Sequence, residues 1–151
     1  MRAFAILRAI VAGAIIAGAV AIAHWGGMHG ESARVLRSLF DGATGVPRRA
    51  LDLLAIAAPI VLVLTLARLM RRNRSAPAQI LSLFNALAPL VGIAAAIFDI
   101  AALRLATPPG HTAPLIAMAP GLAEAALILG LGLLVGAVAA LPRGASWNGG
   151  D

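Results

Sequence analysis

The chain has 151 residues, of which 61% are hydrophobic and only 12% are charged. Soluble domains carry about 25% charged residues, so this composition indicates an integral membrane protein with no separate soluble domain. Cysteine is absent, which excludes disulfides and thiolate metal sites. Every basic residue is an arginine, and the sequence offers no basic soluble face with aromatic side chains of the kind that binds nucleic acid.

We predict an all-α integral membrane protein with four transmembrane helices, because four apolar stretches each reach the roughly 20 residues that a bilayer crossing needs. The first covers residues 1–25 and the second residues 51–70, and the third and fourth form a hairpin over residues 80–142. An outer loop, 26–50, joins the first two stretches, a tight cytoplasmic turn follows Met70, and a disordered C-terminal tail covers 143–151.

The first apolar stretch has two interpretations. Arginines precede it, and Ala21-Ile-Ala23 stands before His24 as a cleavage site would, so it has the features of a signal peptide as well as those of a membrane helix. We expect an uncleaved transmembrane helix.

The outer loop contains an amphipathic segment, residues 31–41, that ends at Gly42. Its apolar residues share one helical face: Val35, Leu36, Leu39 and Phe40. We therefore predict a short helix lying in the membrane interface, which serves either as a structural collar or as a docking surface for a partner.

Arginine placement favours cytoplasmic positions for both termini. With the N-terminus inside, the arginines of the inner side outnumber those of the outer side by seven to five. The inner set is Arg2, Arg8, Arg68, Arg71, Arg72, Arg74 and Arg143, and the outer set is Arg34, Arg37, Arg48, Arg49 and Arg104. Arginines beside membrane segments also favour contact with anionic membrane lipid.

The polar and small residues of the third helix lie on one side. Within about 80° of helical arc fall Asn85, Pro89, Gly92, Ala96 and Asp99. Lipid cannot satisfy the hydrogen-bonding groups of an amide or a carboxyl, so this face is expected to contact protein or water.

The fourth helix has a similar face, built from Gly121, Ala125, Gly132 and Gly136, which permits close helix packing. Glu124 lies on its flank, and a charge in the middle of a membrane segment costs about 2.5–3.5 kcal/mol on insertion scales. We expect Asp99, Glu124 and Arg104 to meet in the outer half of the membrane. Either Arg104 is the counter-charge of a structural cluster, or Glu124 and Asp99, with Asn85, form a proton or ion pathway.

Two segments resemble the MotA/TolQ/ExbB proton-channel family. Residues 87–92, Leu-Ala-Pro-Leu-Val-Gly, are similar to the opening of the family's third helix, and residues 119–125, Ala-Pro-Gly-Leu-Ala-Glu-Ala, are similar to the start of the last helix in ExbB-like members. The resemblance implies a bacterial inner-membrane stator: an oligomer of five such subunits around single-span partner helices, with the last two helices lining the pore. Glu124 matches the glutamate of the family.

Three departures from the family pattern leave conduction open. Ala96 and Leu129 stand where the family has pore threonines, Asp99 stands where it usually has glycine, and the large cytoplasmic domain is reduced to about ten residues around 71–78. We therefore consider two functions: a stator-like subunit that oligomerises through its last two helices, and a non-conducting accessory subunit of a larger respiratory, photosynthetic or transport complex.

The sequence gives no indication of an enzyme. His24, His29 and His111 have no acid or histidine at ligand spacing, and no serine has the surroundings of a nucleophile. We expect no catalytic residues, no metal and no cofactor.

Overall fold

A computed structural model of the protein describes residues 2–70, 77–106 and 114–142. This part of the chain is all-helical, and its α-helices are α1 (Arg2–Trp25), α2 (Ser32–Gly42), α3 (Gly45–Met70), α4 (Pro77–Ala106) and α5 (Leu115–Ala140). The predicted cytoplasmic turn with its arginines, His111 and the predicted C-terminal tail lie outside the described residues.

Four of these helices are long and apolar enough to cross a membrane, as the sequence predicts. This is the architecture of a multi-pass membrane protein. The four long helices alternate in direction along the chain. Arg8 near the start of α1 reaches Asn85 near the start of α4, and Thr65 near the end of α3 donates to the carbonyl of Val138 near the end of α5. Gly136 near the end of α5 lies beside Arg8, so all of these residues are at the same end of the bundle. We call the end with Arg8, Asn85 and Val138 the arginine end, and the opposite end, where Trp25 closes α1, the tryptophan end.

Helix α5 occupies the centre of the bundle and packs against α1, α2, α3 and α4. In the stretch of α5 that is apolar enough to cross a membrane, 56% of the residues are buried within the protein, whereas the share is 22% to 28% in the corresponding stretches of the other three long helices. Its many glycines and alanines explain this position, because small residues let several helix backbones approach one axis.

Helices α4 and α5 touch through their backbones. A Cβ placed on Gly132 would lie 2.6 Å from the carbonyl oxygen of Ala88 and 3.0 Å from the Cα of Gly92. On the other side of α5, a Cβ on Gly130 would lie 2.5 Å from a side-chain carbon of Ile16 in α1. The glycines of α5 are thus covered by the chain's own helices.

Helix α3 begins six residues earlier than predicted, at Gly45 rather than Leu51. Gly45 has a φ of +62°, a turn conformation that suits glycine, and Pro47 stands in the first helical turn, where its missing N–H costs nothing. Arg48 then pairs with Asp52 at 3.2 Å, one helical turn on. The polar residues around Arg48 suggested a loop, but they form the first turns of a helix.

The amphipathic helix α2 turns its apolar face inward. Val35 and Leu39 are buried, and α2 packs on α1 and α5 at the tryptophan end. Arg48 of α3 holds α2 from the side: its Nη1 donates to the carbonyl of Phe40 at 2.7 Å, and its guanidinium lies 4.8 Å from the Phe40 ring centre. The apolar face of α2 is thus covered by the chain's own helices.

Replacing Arg48 by glutamine is expected to loosen α2, because the variant loses the hydrogen bond to Phe40, the cation–π contact and the pair with Asp52 together. The hydrogen bond contributes about 0.5–1.5 kcal/mol and the cation–π contact about 0.5–1 kcal/mol, and the partly exposed ion pair adds only about 0.3–0.5 kcal/mol. Amide hydrogen exchange in residues 32–42 should therefore rise by about tenfold. Arg49→Gln is the matched control, since Arg49 is exposed, and its exchange rates should equal those of the parent protein.

Candidate functional site

Two acidic residues lie at the same level of the α4–α5 seam near the tryptophan end. Asp99 is 9% exposed, and its Oδ2 atom is buried without a hydrogen-bond partner in the described part of the chain. Glu124 is half-buried and lies close enough to Asp99 for the two groups to interact electrostatically. We call these two residues the acid pair.

The helix packing explains why the two acids are level with each other. Gly121 of α5 faces the side chain of Leu103 in α4, and further along the seam Gly132 faces Gly92. Since α4 and α5 are antiparallel, the register set by these two contacts places Asp99 at the level of Ala125, next to Glu124. The stripe predicted on α4 faces inward here: Gly92, Ala96 and Asp99 are buried, and Asn85 and Pro89 are half-buried.

Arg104 is not the counter-charge of the acid pair within one chain. Its side chain is exposed, and the ion pairs found among the described residues are Arg37 with Asp41 and Arg48 with Asp52. The helical period explains the separation, because five residues turn the side chain of Arg104 by about 140° from that of Asp99. The cluster of three charges that the sequence suggested is therefore a pair of acids.

Asn85, the third predicted pathway residue, lies at the arginine end. Nη1 of Arg8 donates to Oδ1 of Asn85 at 2.8 Å, and Nη2 approaches its backbone carbonyl at 3.5 Å. Fourteen residues of α4, about 21 Å of helix, separate Asn85 from Asp99. The predicted site is thus two polar sites at opposite ends of the bundle.

The seam between these two sites is apolar and tightly packed. Every residue of α4 from 86 to 98 and every residue of α5 from 125 to 140 has an apolar side chain or none. The backbone contact between Gly92 and Gly132 lies between the two ends and leaves no room for a side chain. The α4–α5 seam of a single chain consequently offers no polar route from the acid pair to Asn85.

Sequence reasoning missed the role of Arg8, which it used only as a topology signal. Arg8 is half-buried against α4 and α5, and a Cβ on Gly136 would lie 2.7 Å from its Nη2. A signal was present, because an arginine six residues inside an apolar helix needs a polar partner. The sequence did not say which partner it had.

The remaining predicted residues have packing positions. A Cβ on Gly136 would also lie 2.8 Å from Cγ of Pro89, and Gly121 leaves space for Leu103, whose Cδ1 would be 2.7 Å from a Cβ there. Among the described residues no group of three or more histidine, aspartate or glutamate side chains is placed to hold a metal ion.

Comparison with protein-family models, with curated proteins and with solved structures finds no match for this chain. The class of protein follows from the fold: the described part of the chain is all-helical, and four of its helices are able to cross a membrane. The resemblance to the MotA/TolQ/ExbB family stays a prediction from two short segments.

Proposed function

We propose that this protein is a stator-like subunit of an energy-transducing complex in a bacterial inner membrane, with both termini in the cytoplasm, and that its acid pair handles protons. The observation that supports this best is the carboxyl of Asp99, which is buried without a hydrogen-bond partner for Oδ2 in the described chain. An acid that only locks two helices together would have its charge or its hydrogen bonds satisfied. An unsatisfied one suits a group that takes up and releases a proton.

The proposal places contacts between copies on the outer face of α4. The glycines of α5 are already covered within the chain, whereas Leu87, Leu90 and Ile97 of α4 are 46%, 59% and 62% exposed. Since Glu124 is only half-buried, its carboxyl remains within reach of a neighbouring helix. Copies that meet beside the hairpin would enclose a path that Glu124, the half-buried member of the acid pair, reaches.

A second membrane component is part of this proposal. The chain places no polar side chain on α4 or α5 between the acid pair and Asn85. A proton leaving the acid pair towards the arginine end therefore needs a carrier from outside these two helices. A single-span partner with a carboxyl of its own, as the family resemblance implies, would supply it.

Replacing Glu124 by glutamine is expected to abolish proton flux, because the amide keeps the shape of the side chain but carries no exchangeable acid proton. The measurement is proton uptake into liposomes that contain the complex purified from its native membrane, followed with a pH-sensitive dye. Flux should fall at least tenfold. Glu31→Gln, the same chemical change at an exposed position, should keep the parent rate. Undiminished flux in the Glu124 variant would reject the proposal.

The apolar α4–α5 seam favours a second candidate, a non-conducting accessory subunit that packs against a larger complex. Its acid pair would then bind a basic group of a neighbouring subunit. The native mass of the detergent-extracted complex distinguishes the two. Five copies with a small single-span partner support the stator, and one copy beside unrelated large subunits supports the accessory role.

A further inference from the structure

We propose that Arg8 and Asn85 form a binding site for the phosphate of an anionic phospholipid in the leaflet at the arginine end. This inference does not depend on the acid pair or on proton conduction. It rests on the hydrogen bonds of Arg8, on the distribution of charge along the bundle and on the depth of Arg8 in the membrane.

The guanidinium of Arg8 is held but not neutralised. Asn85 accepts from both of its terminal nitrogens, and Phe4 lies 5.9 Å away, one turn earlier in α1. No carboxylate pairs with Arg8 among the described residues. An arginine has five N–H donors, so several remain for an acceptor outside the chain.

Charge along the bundle is strongly segregated. The acids of the described part of the chain, Glu31, Asp41, Asp52, Asp99 and Glu124, all lie in the half of the bundle nearer the tryptophan end. Among the described residues Arg8 and Arg68 lie towards the arginine end, where no acid accompanies them, whereas the five acids share the tryptophan end with Arg34, Arg37, Arg48, Arg49 and Arg104. A surface with this excess of positive charge attracts anionic lipid.

Arg8 lies at a depth from which it reaches lipid phosphate. Trp25 is 57% exposed at the other end of α1 and suits the headgroup region there. Seventeen residues, about 26 Å of helix, separate Arg8 from Trp25. With Trp25 at one boundary of a hydrocarbon core about 30 Å thick, the backbone of Arg8 lies about 4 Å inside the opposite boundary. The side chain of arginine spans this distance.

The surroundings select a lipid over a free anion. Phe4, Leu7 and Val11 are 63%, 57% and 43% exposed on the same helix and offer an apolar surface for acyl chains. Asn85 fixes the plane of the guanidinium, and a fixed guanidinium binds phosphate oxygens through two parallel hydrogen bonds. Gly136 leaves the space that this arrangement occupies.

The test is native mass spectrometry of the full-length protein in a mild neutral detergent with added phosphatidylglycerol or phosphatidylcholine. The parent protein should retain the anionic lipid about tenfold better than the zwitterionic one. In Arg8→Gln this preference should fall at least fivefold, while Arg37→Gln, the same charge change on the exposed face of α2, should keep it. Inorganic phosphate should neither bind nor compete.

An equal preference in Arg8→Gln and the parent would overturn the proposal, and so would competition by inorganic phosphate at millimolar concentration. Circular dichroism and a single gel-filtration peak establish that the variant is folded. If Arg8→Gln does not fold, Arg8→Lys decides the question. Lysine keeps the charge but cannot donate as a planar fork, so the preference should fall about threefold, and an undiminished preference rejects the site.

Discussion

Replacing Gly132 by alanine is expected to destabilise the protein more than any other single methyl addition among the α4–α5 glycines. The new Cβ would lie 2.6 Å from the carbonyl oxygen of Ala88, which is a backbone atom and cannot rotate away. The two helices must therefore move apart along the seam. Overpacking of this kind costs about 1–3 kcal/mol, which lowers the melting temperature of a protein of this size by roughly 5 °C.

The structure also predicts an order of effects that separates packing from general glycine loss. Gly92→Ala places its Cβ 3.1 Å from the carbonyl oxygen of Ile128, so its effect should be smaller than that of Gly132→Ala. Gly18→Ala is the matched control, because nothing lies within 4 Å of its Cβ and alanine is the better helix former. Thermal melts in one detergent should rank Gly132→Ala below Gly92→Ala, and Gly18→Ala at or above the parent. Equal melting of all three would contradict the close seam.

The helices could be predicted from the sequence because their signal is local. A run of about 20 apolar residues in lipid has few alternatives to a helix, so the four long helices follow from composition alone. The start of α3 could not be predicted in this way. Around Pro47 the chain is polar, and Arg48 there is held by a contact outside its own segment, the hydrogen bond to the carbonyl of Phe40 in α2.

The candidate site was predictable to the level of faces but not of partners. The helical period placed Asn85, Gly92 and Asp99 on one side of α4, and the structure turns that side towards the bundle. Partner choice depends on how neighbouring helices are rotated and shifted, which one helix does not encode. For that reason Arg8, 77 residues before Asn85 in the chain, was missed as its hydrogen-bond partner.

The same limit explains the expectation for Arg104. Its distance from Asp99 in the sequence is short, and proximity suggested a pair. Five residues place the two side chains about 140° apart on α4, however, and Arg104 is exposed while Asp99 is buried. Two residues of one helix can touch only if the helical period places them on the same face, however close they are in the sequence.

Replacing Asp99 by alanine is expected to leave the fold as stable as the parent or more stable, while the function of the complex is lost. A buried polar atom without a partner costs about 1–3 kcal/mol, and removal of the carboxyl removes that cost. The substitution is sterically mild, because alanine is smaller than aspartate and the preceding turn of α4 already consists of alanines such as Ala95 and Ala96. The melting temperature should stay level or rise by about 2–4 °C per kcal/mol gained.

Stability and function measured on the same Asp99→Ala variant separate the two interpretations of the acid pair. A residue that locks α4 to α5 loses stability and function together when it is removed. A residue kept for proton transfer or for binding a partner's charge destabilises the folded chain. Its removal therefore abolishes function without a loss of stability, as is often found for active-site groups. Thermal melts of the purified protein and proton uptake by the reconstituted complex give both values. A clear loss of stability in Asp99→Ala would assign this acid a structural role. The contacts of its side chain would then stabilise the bundle by more than the burial of its carboxyl destabilises it.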